Sequence, residues 1–144
     1  MTSPKPLRIL FLCTGNSCRS QMAEGWTRAL HRGKIEAFSA GTQPAGINPL
    51  AVQVMREAGV DLSGHRSKHL SEFLGQPFDY VVTLCDDVHA ACPVFPGARK
   101  TVHAGFPDPA RAAGSPDEVL AEFRRVRDLI RDFVVRIPES LSTL

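Results

Sequence analysis

Three residue types at fixed spacing could hold and attack a tetrahedral oxyanion: a cysteine, an arginine six positions later, and a serine directly after it. They are Cys13, Arg19 and Ser20 in the run Cys13-Thr14-Gly15-Asn16-Ser17-Cys18-Arg19-Ser20. A loop that leaves a strand and opens a helix can turn its backbone N–H groups toward one point, and the helix start adds its positive dipole end. Gly15 and Asn16 tolerate the positive φ angles of such a concave turn. The N–H groups from Thr14 through Gly15, Asn16, Ser17 and Cys18 to Arg19 are therefore the expected substrate-binding set, and the Arg19 guanidinium offers a bidentate fork that lysine could not. The same positive field favours a thiolate at Cys13, which becomes the expected nucleophile. Ser20 is placed to hydrogen-bond that sulfur.

Two further cysteines, Cys85 and Cys92, stand seven positions apart, and the acid Asp108 lies between Pro107 and Pro109. Buried free cysteines often do no more than fill a core, so Cys85 and Cys92 have a packing reading beside catalytic, redox and metal ones. Cys18 is expected to point its side chain into packing beneath the loop. The five histidines are scattered, and even the pair His65 and His69 lacks a third ligand, so no metal site is expected. Asp108 sits in a rigid setting and can donate a proton to a departing hydroxyl, because a carboxylic acid beside an anion keeps its proton more readily.

The elements that must position these groups are legible in apolar periodicity. Leu7 to Leu12 reads as a strand ending at Cys13, followed by a helix with Met22, Trp26 and Leu30 on one face. Ile35 to Ala40 is a second strand. Asn48 and Pro49 open a second helix with Val54, Met55 and Ala58 as its buried stripe and Gly59 as its stop. A shorter helix is expected over 67–74, then the strongest strand, Phe78 to Leu84, ending at Cys85, and a last short strand around Val102. Ser115 and Glu118 have capping-box spacing ahead of a long helix bearing Val119, Phe123, Val126, Ile130, Phe133 and Val134. Strands alternating with helices imply an α/β, three-layer αβα unit around a four-stranded parallel sheet, with ligands at the carboxyl ends of the strands. Cys13 and Cys85 both fall at such ends.

The 144 residues suit one domain covering 1–144, with 43% hydrophobic and 22% charged residues. A net charge of +2 from dispersed basic and acidic residues lacks the basic stripe that nucleic acid requires. The prolines near the start and the short apolar run Ile9 to Leu12 argue against a signal or membrane segment. A cytoplasmic protein is expected, and a reducing cytoplasm turns attention from structural disulfides to reactive thiols.

The run Cys13 to Trp26, together with Ser39-Ala40-Gly41, Val81-Val82-Thr83-Leu84-Cys85 and Asp108-Pro109, resembles the thioredoxin-coupled arsenate reductases, which share the low-molecular-weight protein tyrosine phosphatase fold. The resemblance covers nearly the whole chain. It implies that Cys13 binds arsenate covalently, that Cys85 attacks Cys13 to release arsenite, and that Cys92 then forms a Cys85–Cys92 disulfide. On one helix these two cysteines would stand about 10 Å apart, so bonding them requires the segment to unwind. It also implies arsenate and thioredoxin as partners of a monomer, with electrons ultimately from NADPH, no bound cofactor, and arsenic detoxification as the role.

Two departures from the family pattern stand out. Phosphotyrosine-specific relatives carry a tyrosine after the Asp-Pro pair, whereas here Ala110 follows, and the acid sits in His103-Ala104-Gly105-Phe106-Pro107-Asp108-Pro109. Some of these reductases bind potassium through positions matching Asn16, Glu24, Ser39 and an aspartate that aligns with Lys68. The expectation is that the Lys68 ammonium takes the cation's place and pairs with Glu24. Beside arsenate reduction stand a phosphomonoesterase reading that uses Cys13, Arg19 and Asp108, and a non-catalytic oxyanion sensor.

Overall fold

The apolar run before Cys13 forms the central strand of a sheet. In the computed structural model, which describes residues 5–84 and 95–142, β1 (Leu7–Cys13) lies between β2 (Ile35–Gly41) and β3 (Phe78–Thr83), with β4 (Ala98–His103) beyond β3. Every pairing is parallel, and the register aligns Cys13 with Gly41, Leu12 with Thr83, and Thr83 with His103. The carboxyl ends of all four strands therefore share one edge, where α/β sheets bind ligands.

Being central, β1 is buried on both faces, which is why its sequence is continuously apolar rather than alternating. Ile9 and Phe11 join the larger core with Val82, Met22, Trp26, Val54, Met55, Phe123, Val126 and Ile130. These come from β3 and from α1 (Arg19–Leu30), α2 (Pro49–Glu57) and α3 (Pro116–Val135), which precede the short α4 (Glu139–Ser142). Leu10 and Leu12 point the other way, into a second cluster with Ala40, Val81, Phe78, Phe73 and Phe95. There Phe38, Phe73, Phe78 and Phe95 meet edge to face with centroids 5.5 to 6.0 Å apart. Full burial of each such ring is worth about 2–3 kcal/mol. The α/β class with a four-stranded parallel sheet and flanking helices is as expected.

The helix starts expected at Asn48 and Ser115 are found. Asn48 Oδ1 accepts from the Leu50 N–H at 2.8 Å ahead of α2. Ser115 and Glu118 form both arms of the capping box, with the Glu118 N–H donating to Ser115 Oγ at 3.1 Å. The stripes end earlier than expected. Leu30 is 41% exposed and Ala58 is exposed, because each lies at its helix's end, past the reach of the core.

The helix expected over 67–74 is instead a short 3₁₀ turn, Leu70–Phe73. Long-range bonds hold the preceding residues: the Gly41 N–H donates to the Lys68 carbonyl at 2.9 Å, and the Lys68 N–H donates to Asn16 Oδ1 at 2.8 Å. His69 Nδ1 then accepts from the Ser71 N–H at 3.0 Å and caps the turn. Among the described residues no helix is long and apolar enough to cross a membrane.

Candidate active site

The loop between β1 and α1 is folded by its carbonyl groups. Those of Thr14, Gly15 and Ser17 accept from the N–H groups of Gln43, Ala45 and Asn48 at 2.9, 3.0 and 3.1 Å, all on the outer side. Ser67 Oγ also donates to the Gly15 carbonyl at 3.0 Å. The C=O and N–H of a trans peptide point in opposite directions, so the amides of Gly15, Asn16 and Cys18 turn inward. Within the loop the positive φ falls at Asn16, at +46°, and not at Gly15. The neighbouring strand crowds the loop so closely that a Cβ on Gly41 would stand 2.4 Å from the Thr14 carbonyl oxygen and 2.9 Å from the Asn16 nitrogen.

These amides face a cavity of about 300 Å³ lined by Cys13, Thr14, Gly15, Ser17, Cys18, Arg19, Ala45, Asp108, Ala110 and Arg111. Cys13 Sγ lies 2.9 Å from Ser20 Oγ, and Asn16 Nδ2 donates to that hydroxyl at 2.8 Å. Arg19 is anchored by Nη1, which donates to the Phe106 carbonyl at 3.0 Å and the Leu84 carbonyl at 3.4 Å, while Nη2 stands 3.8 Å from Asp108 Oδ2. Nucleophile, guanidinium and acid thus line one cavity. Their separation in sequence is closed by the edge the strands share.

Cys18 is buried in the larger core and also borders the cavity. Burial pushes its thiol up to about 12, against a smaller opposing effect of Ser17. At neutral pH it stays protonated, in keeping with a packing role for its side chain. Cys85 and Cys92 lie outside the described residues. The described chain before them ends at Leu84, whose N–H donates to the Leu12 carbonyl at 2.9 Å and whose own carbonyl accepts from Arg19.

Sequence reading missed the support beneath the loop. Gln21, fully buried, donates from Nε2 to Asn16 Oδ1 at 3.0 Å and to the Arg66 carbonyl at 2.9 Å, and its Oε1 faces His65 Nδ1 at 3.0 Å. His65, to which the sequence assigned no site role, is half-buried beside Glu24 Oε2 at 3.4 Å. Burial pulls its imidazole below its ordinary value, with the Glu24 carboxylate opposing. Polar residues on the buried face of α1 were the available signal. Nothing local joins Gln21 to His65.

Glu24 is buried among cationic and donating groups. Its Oε1 accepts from Ser39 Oγ at 2.6 Å and lies 4.0 Å from Lys68 Nζ, and its Oε2 lies 3.1 Å from Arg28 Nη2. The Lys68–Glu24 approach expected from sequence is present, and Lys68 Nζ also donates to the Arg66 carbonyl at 2.8 Å. With an ammonium at this position the residues do not fit a resident potassium ion. Among the described residues no group of three or more histidine, cysteine and acidic side chains could hold a metal.

Residues 8–143 match the low molecular weight phosphotyrosine protein phosphatase family. The chain is 49% identical over 122 residues to an arsenate reductase of Halalkalibacterium halodurans, covering 85% of this chain and 88% of that protein. It is 48% identical over 122 residues to an arsenate reductase of Bacillus subtilis, with the same 85% and 88% coverage. Among solved structures, it superposes on an arsenate reductase in a phosphate-binding state with a TM-score of 0.77 and 31% identity, over 94% of this chain and 98% of the other.

Proposed function

The chain belongs to the low molecular weight phosphotyrosine protein phosphatase family, and within it we propose that this protein is an arsenate reductase. The observation that carries the reading is a cavity lined by Cys13, the loop, Arg19 and Asp108 in a chain that also carries Cys85 and Cys92 and is 49% identical to an arsenate reductase.

Arsenate enters with its oxygens toward the Gly15, Asn16 and Cys18 amides and the Arg19 fork. Those donors are fixed before substrate arrives, so the charge that develops on oxygen costs little reorganisation. The Cys13 thiolate attacks arsenic and a hydroxyl departs as water, with its proton supplied by Asp108. Ser20, held by Asn16, donates to the sulfur and keeps it aimed at the cavity. The Cys85 thiolate then attacks Cys13 Sγ. A sulfur–sulfur bond forms, the sulfur–arsenic bond breaks, and its electron pair stays on arsenic, which leaves as arsenite. The two thiols have supplied the two electrons. Cys92 attacks Cys85 and releases the Cys13 thiolate, and a thioredoxin dithiol reduces the Cys85–Cys92 disulfide, drawing on NADPH.

The protein acts as a cytoplasmic monomer without a bound cofactor, in arsenic detoxification. The test supplies arsenate, thioredoxin, thioredoxin reductase and NADPH, and follows NADPH oxidation. Sustained oxidation by the intact protein, none by Cys13→Ser and at most one equivalent by Cys92→Ser is the expected pattern. Multiple turnovers by Cys92→Ser with thioredoxin would refute the relay. Hydrolysis of a phosphate monoester without arsenate-dependent NADPH loss would establish a phosphatase, and loss of neither substrate an oxyanion sensor.

A further inference from the structure

The mouth of the cavity carries a second arginine that the reaction above does not use. Arg111 borders the oxyanion cavity and also a neighbouring one of about 380 Å³, where it meets Asp108, Glu118 and Glu122. Its position is set by the turn that presents the acid. The Ala110 N–H donates to Asp108 Oδ1 at 3.0 Å, and the Arg111 N–H donates to the Asp108 carbonyl at 3.1 Å. Arg19 Nη2 and Arg111 Nε approach the same carboxylate oxygen, Asp108 Oδ2, at 3.8 and 3.9 Å. The buried guanidinium lies on the inner side and the exposed one on the rim.

The oxyanion cavity has carboxylates beside it as well as the amides of the loop. Asp108 lines it, and Glu118 and Glu122 line the neighbouring cavity that shares Asp108, so their negative charge disfavours a nearby dianion unless a cation offsets it. Glu122 is paired with Arg125, whose Nε donates to it at 3.0 Å, and Glu118 is turned to the Ser115 N–H at 3.3 Å. Arg111 borders both cavities and brings its positive charge beside Asp108. Among the described residues the cavity is also lined by Ala45 and Ala110, whose methyl groups offer neither charge nor an aromatic wall.

We propose that Arg111 is a specificity-determining residue of this site: it screens the rim carboxylates and draws small inorganic oxyanion dianions, arsenate and phosphate alike, into the cavity. The inference deepens the reductase reading and rests on it for arsenate, whereas its phosphate arm needs no turnover. A charge at the rim acts mainly on encounter and binding, and its effect weakens with salt.

The experiment titrates inorganic phosphate into the reduced full-length protein by calorimetry, and measures arsenate kcat and KM at low and high salt. It uses the intact protein, Arg111→Ala, Arg111→Lys and, as a control at the opposite edge of the sheet, Arg99→Ala. Expected for Arg111→Ala are phosphate binding weaker and arsenate KM higher by roughly three- to ten-fold at low salt, with kcat moving less and the salt dependence of kcat/KM flattened. Arg111→Lys should recover most of the loss, and Arg99→Ala should match the intact protein. Unchanged phosphate affinity in Arg111→Ala, a loss confined to kcat, or an equal loss in Arg99→Ala would overturn the proposal. A protein that binds phosphate in this Arg111-dependent way yet reduces no arsenate would refute the reductase reading while leaving the Arg111 assignment intact.

Discussion

Ser20 Oγ lies 2.9 Å from Cys13 Sγ, and its proton is directed at the sulfur by the bonds on its other side. The Lys68 N–H can only donate, so the Asn16 atom it meets at 2.8 Å is Oδ1, and Asn16 Nδ2 must then face Ser20 at 2.8 Å. Since that amide donates to Ser20 Oγ, the hydroxyl's own hydrogen is left for Cys13. Gln21 fixes the same orientation through its bond to Asn16 Oδ1. A chain of hydrogen bonds, each orienting the next, thus runs from the Arg66 carbonyl, which accepts from Gln21, and the Lys68 N–H, which donates to Asn16, to the nucleophile.

Replacing Ser20 with alanine removes the last donor of that chain. A hydrogen bond to a charged group is worth about 1.5–3 kcal/mol, so Ser20→Ala is expected to slow both arsenate turnover and Cys13 alkylation at neutral pH by roughly ten- to a hundred-fold. Thermal stability should fall as well, by about 1–3 kcal/mol, because the buried Asn16 Nδ2 loses its acceptor. Rapid iodoacetamide trapping of Cys13, followed by mass spectrometry, measures the effect directly; an unchanged rate would remove Ser20 from the mechanism.

Gly41 tests the tightness of the loop. Its missing side chain leaves room for the Cys13 and Thr14 carbonyls, which a Cβ would meet at 2.8 and 2.4 Å. Because those atoms are backbone, they cannot swing aside as a flexible side chain would. Gly41→Ala should lower stability by about 1–3 kcal/mol and cut oxyanion binding with it. Gly64→Ala, where a Cβ meets nothing within 4 Å, should leave denaturant midpoint and phosphate affinity unchanged.

The buried thiol of Cys18 makes a prediction about alkaline pH. Burial raises it from an ordinary 9.0 to about 12, so the unfolded chain loses this proton first. Its contribution to stability is complete below pH 9 and is lost as pH rises from 9 toward 12, at about 1.4 kcal/mol per pH unit. Urea unfolding across that range should show a flatter decline for Cys18→Ala than for the intact protein. In the native protein near neutral pH, Cys18 should also resist alkylation.

How far these features could be read beforehand depends on the range of the interactions behind them. The spacing of Cys13, Arg19 and Ser20 and the caps at Asn48 and Ser115 are local, and the chain places them as read. The extended course of residues 67–69 is not local: it exists because Lys68 bonds to Gly41 and Asn16, distant in sequence. Gln21 and His65 escaped notice for the same reason, as their bond spans 44 positions. Arg111 looks like any surface arginine until the Asp108 turn carries it to the cavity.

Lys68 offers the sharpest comparison with relatives that use potassium. Its half-buried ammonium stands 4.0 Å from Glu24 Oε1, next to the carboxylate's bond with Ser39. Its backbone N–H meanwhile holds Asn16 Oδ1. A fixed positive charge therefore already balances Glu24 beneath the loop, and a monovalent cation brought there would be repelled by it. Exchanging potassium for sodium at constant ionic strength should leave arsenate KM, kcat and thermal stability of the intact protein unchanged. Lys68→Asp would set two carboxylates close together, and one must then be neutralised by a proton or a cation. That variant should lose stability at neutral pH and regain part of it with added potassium. A clear potassium dependence in the intact protein would show that the ammonium does not do the cation's work.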